Sequence, residues 1–144
     1  MKCSEIMTKE IKACHPESTI KEAVQLMKKL NCGVIPVVDK NNVLQGIVTD
    51  RDIVFYTVLN DKEPELTFLS EFMTKNVITC HADDNLDTVI HKMSKSQVRR
   101  IPIVDDNHKL LGLITLGDVA VKGHEEHETF EALEHISEPG MKRY

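Results

Sequence analysis

Two apolar runs in this chain end in Thr-x-x-Asp. One reads Gly46-Ile47-Val48-Thr49-Asp50-Arg51-Asp52-Ile53, and 66 residues later the chain reads Gly112-Leu113-Ile114-Thr115-Leu116-Gly117-Asp118-Val119. A strand that stops where a helix begins leaves backbone N–H groups and the positive end of a helix dipole at one spot. A carboxylate fixed there can accept two vicinal hydroxyls, and a threonine hydroxyl beside free N–H groups suits a phosphate. The same spacing is also that of a helix cap, in which hydroxyl and carboxylate satisfy the first N–H groups. Further chemistry is offered by Arg99 and Arg100, whose forked donors match phosphate oxygens. His15 and His81 stand in equivalent turns and read as helix-entrance residues rather than metal ligands. His124 and His127, with His135 among the glutamates of the tail, read as a solvated helix face, so no metal site is expected.

The elements that must carry these residues come from an internal repeat. Residues 4–54 align on 70–120 without a gap, and 18 of the 51 positions are identical, which chance does not give. Ser4-Glu5 and Met7-Thr8-Lys9 fall on Ser70-Glu71 and Met73-Thr74-Lys75, Cys14-His15 on Cys80-His81, and Ile35-Pro36 on Ile101-Pro102. Two copies favour a closed pair about a pseudo-two-fold axis over an open solenoid. In copy one, Glu10 to Cys14 is extended and ends in a turn at His15–Ser18. Thr19 or Ser18 caps a helix with Ile20, Ala23, Val24, Met27 and Leu30 as its buried stripe, and Asn31 stops it. Val34–Val38 and Val43–Val48 form a hairpin around Asp39–Asn42, with Pro36 at a strand start or edge because it has no N–H. A helix from about Asp50 to Leu59 completes a β-α-β-β-α unit. Copy two repeats the plan with a helix Leu86–Lys95, strands Ile101–Val104 and Leu110–Thr115, and a helix from Gly117. The fold class is therefore mixed α/β (α+β), with repeats at 1–62 and 63–122 and a tail, 123–144. Leu66 to Phe72 is expected to be a short helical lead into copy two. The tail carries a helix with Phe130, Leu133 and Ile136 as its apolar stripe, then frays from Ser137.

Composition narrows the function. A net charge of −5 argues against a general nucleic-acid or anionic-membrane surface. No apolar run approaches the roughly 18 residues of a membrane span. The first residues lack signal-peptide character, and four cysteines without C-x-x-C spacing read as reduced thiols, so the expected location is cytoplasmic. No phosphate-binding G-x-x-x-x-G-K loop, nucleophile elbow or H-E-x-x-H motif is present, which favours a binding module over an enzyme.

The Met-Thr-Lys start, the apolar helix, the Ile-Pro-hydrophobic-Val-Asp strand and the Gly-h-h-Thr-x-x-Asp ending, each present twice, resemble a tandem pair of CBS (cystathionine-β-synthase) domains, a Bateman module. The resemblance covers about residues 4–122. It implies a free-standing regulatory module that binds adenosine-containing ligands (AMP, ADP, ATP or S-adenosylmethionine) in two clefts, without a required cofactor. It also implies a homodimer, through Ile53, Val54, Val58, Val119 and Ala120, acting on a further protein partner. By the resemblance, one cleft joins Thr49 and Asp52 to Thr79, Cys80, Arg99, Arg100 and Pro102. The other joins Thr115 and Asp118 to Ala13, Cys14, Gly33, Val34 and Pro36, and lacking the arginines it is the weaker anion site. The aspartates take the ribose, the arginines the phosphates, and Cys14 and Cys80 serve as small apolar residues near the adenine. An alternative is an interaction protein with vestigial clefts.

Overall fold

The computed structural model describes residues 1–123 and 126–137. The chain divides into two compact units: a first unit, Lys12–Val77, and a second, Met1–Ile11 with the chain from Ile78 onward.

In the first unit, Thr19 caps helix α2 (Ile20–Leu30) through a reciprocal pair in which its Oγ1 accepts from Glu22 N at 3.2 Å. Helix α1 (Cys3–Ile6) precedes it in sequence and belongs to the second unit. Asn31, in the left-handed conformation at φ 51°, ends α2, as expected from its type. Strands β1 (Val34–Val38) and β2 (Leu44–Thr49) pair antiparallel, with Asp39 Oδ1 holding the turn by accepting from Asn41 N and Val43 N. Helix α3 (Asp50–Leu59) follows β2 without a break. The core is aliphatic: Ile20, Ala23, Met27, Ile35, Val37, Val48, Ile53 and Leu69. The expected lead-in helix is a single 3-10 turn, Leu69–Glu71.

The second unit repeats the plan with β3 (Cys80–His81), α4 (Leu86–Ser96), β4 (Arg100–Val104), β5 (Leu110–Thr115) and α5 (Leu116–Lys122), then adds α6 (Glu126–Ser137). Here β3, β4 and β5 form a three-stranded sheet, whereas in the first unit the place of β3 is a single bridge from Cys14 to Val37. Pro36 lies in β1, an edge strand of a two-stranded sheet, as its missing N–H suggests, whereas Pro102 lies in β4, the central strand of three. For Pro102 the sequence reading is corrected by register: pairing to β3 begins one residue later, at Ile103, so the N–H that Pro102 lacks is not missed.

Three apolar assignments also change. Val24 and Leu30 are 44% and 42% exposed, because among the described residues no element lies over that side of α2. On α6, Phe130 and Leu133 are exposed while Ala132 and Ile136 are buried against α4 and α5. A small residue is needed where three helices meet, so alanine rather than phenylalanine takes the inner face. Val119 and Ile53, read as available for association, are buried, the first in that same cluster and the second in the core of the first unit. The expected fraying after Ser137 and the position of His124 lie outside the described residues, as does the side chain of His127.

The units do not follow the repeat boundaries. Met73-Thr74, the start of copy two, pairs with β2 of the first unit through Ile47 N to Thr74 O and Thr74 N to Ile47 O, both 3.0 Å. Met7-Thr8, the start of copy one, pairs in the same way with Leu113 of β5 in the second. Gly46 and Gly112 permit this approach. A Cβ on Gly46 would stand 2.8 Å from Thr74 O, and one on Gly112 would stand 2.7 Å from Thr8 O.

Candidate functional site

Thr49 ends β2 and caps α3. Its Oγ1 accepts from Asp52 N at 3.1 Å, and Asp52 Oδ2 accepts from Thr49 N at 3.1 Å. Thr115 and Asp118 do the same between β5 and α5, at 3.1 and 2.9 Å. The capping arrangement is therefore present at both sites. It uses one carboxylate oxygen of each aspartate and fixes the direction of the other.

The second oxygens differ. Asp118 Oδ1 pairs with Lys122 Nζ at 3.4 Å, one turn on, and that ammonium also donates to Ile6 O. In addition, Thr115 Oγ1 donates to Asp118 Oδ2 at 3.0 Å. The residue equivalent to Lys122 is Tyr56, which cannot pair with a carboxylate in this way. Asp52 Oδ1 makes no hydrogen bond or ion pair among the described residues. Asp52 also borders an open groove of 290 Å³ with Phe55, Tyr56, Leu59, Asn60 and Phe72, where Tyr56 and Phe72 stack at 4.6 Å. The Lys122 pair was readable as an i, i+4 acid–base spacing, but the aromatic groove was not, because Phe72 comes from outside the helix.

Each unit gathers seven of the sequence-predicted residues around its hairpin. In the first unit, Val34 pairs across the ladder with Thr49, Pro36 O accepts from Cys14 N at 3.0 Å, and Ala13 precedes that bridge. Gly33 O accepts from Asp50 N, and Gly33 leaves room for the Asp50 carboxylate, which a Cβ would meet at 2.8 Å. In the second unit, Arg100 pairs across the ladder with Thr115, Arg99 O accepts from Leu116 N at 2.8 Å, and Cys80 pairs with Ile103 one residue after Pro102. Thr79 O accepts from Lys92 Nζ at 2.7 Å. Arg99 is exposed and Arg100 half-buried, and neither guanidinium is paired among the described residues. The residues assigned to each expected cleft are thus divided between the units: Thr49 and Asp52 in the first, Thr79, Cys80, Arg99, Arg100 and Pro102 in the second.

Cys14 and Cys80 are buried, and burial pushes both thiols up, as expected of small apolar residues. Cys3 is raised to about 12 by burial, with neighbouring Cys80 and Asp84 adding to the shift. Among the described residues no group of His, Cys, Asp and Glu could hold a metal ion, and no helix is long and apolar enough to cross a membrane.

Comparison with known proteins accounts for the duplicated site. The CBS domain family matches residues 3–58 and again 69–124. The CBS domain-containing protein YhcV of Bacillus subtilis is 38% identical over 131 residues, 91% of each chain. The L-aspartate semialdehyde sulfurtransferase of Methanocaldococcus jannaschii is 36% identical over 116 residues, 81% of this chain but 22% of that enzyme. Among solved structures, the CBS domain pair of protein MJ0100, in complex with 5′-methylthioadenosine and S-adenosyl-L-methionine, superposes with a TM-score of 0.74 at 33% identity, covering 83% of this chain and 93% of that one. A gapless repeat, two hairpins each ending in a Thr-x-x-Asp cap, and two matched domains lead to one assignment: the chain belongs to the CBS domain family.

Proposed function

We propose that this protein is a regulatory module that senses an adenine nucleotide of the AMP, ADP and ATP class. Asp52 receives the ribose, and Arg99 and Arg100 receive the phosphates. The observation that carries the reading is the uncommitted Oδ1 of Asp52, on a carboxylate whose direction the cap already fixes. A carboxylate held in place before binding loses little freedom when the hydroxyls arrive, so more of each hydrogen bond appears as affinity. Support also comes from MJ0100, whose CBS pair holds two adenosine compounds. Two unpaired arginines beside Thr115 favour a ligand with phosphate over a sulfonium, and for that reason S-adenosylmethionine is the second reading.

Calorimetric titration with AMP, ADP, ATP, adenosine and S-adenosylmethionine tests this. The expected order places the phosphorylated ligands above adenosine, with Arg100→Ala removing the difference. Asp52→Ala combined with Arg100→Ala tests whether both residues serve one ligand, since groups sharing a ligand give losses that do not simply add. Equal affinity for AMP and adenosine in the wild type overturns the phosphate assignment. Tighter binding of S-adenosylmethionine than of any nucleotide establishes the second reading.

A further inference from the structure

Each unit seats a lead-in segment by the same backbone bonds, but the two segments bring different side chains to the same place. Under the 66-residue shift Cys3 falls on Leu69 and Cys80 on Cys14. In the second unit Cys3 N donates to Asp84 O at 2.9 Å and Ser4 N to Ala82 O at 3.0 Å. In the first, Leu69 N donates to Ser18 O at 2.9 Å and Ser70 N to Pro16 O at 3.0 Å, the same bonds one repeat away. Leu69 thereby joins one aliphatic cluster with Cys14, and Cys3 joins the other with Cys80. Cys3, Cys80 and Leu69 are all wholly buried. Leucine fills this position in one unit, so close packing by itself does not call for a thiol in the other. A second difference lies beside it. Lys92, whose counterpart is Leu26, donates to Thr79 O at 2.7 Å and also hydrogen-bonds the Cys80 side chain. Burial pushes the Cys80 thiol up, with Asp84 adding to the shift, and the Lys92 ammonium pulls the other way.

We infer that Cys3 and Cys80 are a dithiol that a peroxide oxidises to a disulfide, tying α1 to β3. Both thiols are buried, so the oxidant meets them when α1, a four-residue helix held to residues 82–84 by backbone bonds, opens locally. Cys80 is the nucleophile, because the Lys92 ammonium beside it stabilises a thiolate. Its sulfur attacks one peroxide oxygen and the O–O bond breaks. That leaves a sulfenic acid at Cys80 and a hydroxide, which takes up the proton lost by the thiol. The Cys3 sulfur then attacks the Cys80 sulfur: the S–S bond forms, the S–O bond breaks, and the leaving hydroxide departs as water with the Cys3 proton. The thiols give up two electrons and two protons, and one peroxide becomes two waters. The tie reaches beyond the sulfurs. Ile6 O, in the same short helix, accepts from Lys122 Nζ, the ammonium paired with Asp118 Oδ1, so fixing α1 also fixes a partner of that lysine. The inference is independent of the nucleotide reading, since neither Asp52 nor Arg100 enters it.

The test treats the reduced full chain with hydrogen peroxide, alkylates the remaining thiols in urea, and maps tryptic peptides without reduction. The expected product links peptides 3–9 and 76–92, each of which holds one cysteine, and dithiothreitol separates them. The linked protein should unfold at higher urea, because the cross-link restricts the unfolded chain, and dithiothreitol should reverse the gain. Cys3→Leu copies the residue of the first unit. It should give no link and no gain in midpoint, and dimedone added with the urea should trap the sulfenic acid left on Cys80. Circular dichroism checks the fold of this variant, and the wild-type map decides alone should it not fold. Four results overturn the inference. One is the absence of the linked peptide once the partly exposed Cys32 is fully oxidised. Another is Cys80 carried on to sulfinic acid with Cys3 still a thiol, which places the two sulfurs out of reach. A third is a link that forms only when peroxide is added in urea, which shows that the fold does not select the pair. The last is an unchanged urea midpoint in the linked protein, which shows that the bond does not tie α1.

Discussion

A carboxylate that caps a helix and a carboxylate that receives a ligand draw on the same lone pairs, so the two roles separate oxygen by oxygen. Asp52 and Asp118 each give Oδ2 to the cap, but Lys122 holds the Oδ1 of Asp118. Asp52→Ala should weaken nucleotide binding by about tenfold or more, the scale of one or two charge-assisted hydrogen bonds. Asp118→Ala should matter less to binding, while each variant costs about 1 kcal/mol of stability from the lost cap. Urea unfolding and calorimetry on the same samples separate these effects. Equal losses of binding in both variants would count against the assignment. The thiols supply a second test at this scale. Burial disfavours thiolates at Cys3, Cys14 and Cys80, whereas Cys32 is partly exposed. Iodoacetamide at pH 8 should modify Cys32 first in the native protein, as peptide mass mapping would show. The Cys3 thiol rises from 9.0 to about 12, so the folded state holds a proton that the unfolded state releases between those values. That contribution is complete below pH 9 and declines above it, and Cys3→Ala should flatten the alkaline loss of stability. The Thr-x-x-Asp caps were legible because their bonds are local; the identity of the working oxygen depended on Lys122.

At the scale of the element, the motifs flanking each hairpin have a mechanical reason. Gly46 and Gly112 lie where a neighbouring backbone carbonyl comes within van der Waals range of the missing side chain. Gly46→Ala and Gly112→Ala should each cost about 1–3 kcal/mol, the range for overpacking against atoms that cannot turn aside. Chemical denaturation reads this directly, and a neutral result for both would show that the Met-Thr segments shift without penalty. Helix and strand limits were legible to within a residue or two, since α2, α4 and both hairpins have local periodicity and local turns. What lay over them was not. The stripe of α2 includes Val24 in the same register as Ile90 of α4, and no feature of α2 itself says that Val24 is exposed where Ile90 is buried. On α6 the largest apolar residues, Phe130 and Leu133, suggested the inner face, while close packing selected Ala132 and Ile136.

For the whole molecule, the tail is part of a core and not an appendage. Ending the chain after Gly123 removes Ala132 and Ile136 from the cluster with Ile90, Met93 and Val119. Burial of one isoleucine side chain contributes about 1.5–3 kcal/mol, so the shortened chain should unfold at lower urea and bind more hydrophobic dye. An unchanged midpoint would show that α6 contributes nothing to the core. Duplication was fully legible, because 18 identities without a gap survive in the letters. Which lead-in segment belongs to which hairpin was not, because either pairing satisfies the same motif. That exchange sets an order of events as the chain leaves the ribosome. Residues 12–77 hold all that the first hairpin needs and can close early. Met7-Thr8 emerges before that hairpin and must wait for Leu113, roughly 5–20 s at the usual 5–20 residues per second. During that interval the segment is a loose end with its proper neighbour not yet made, and the second hairpin gathers it in when it arrives.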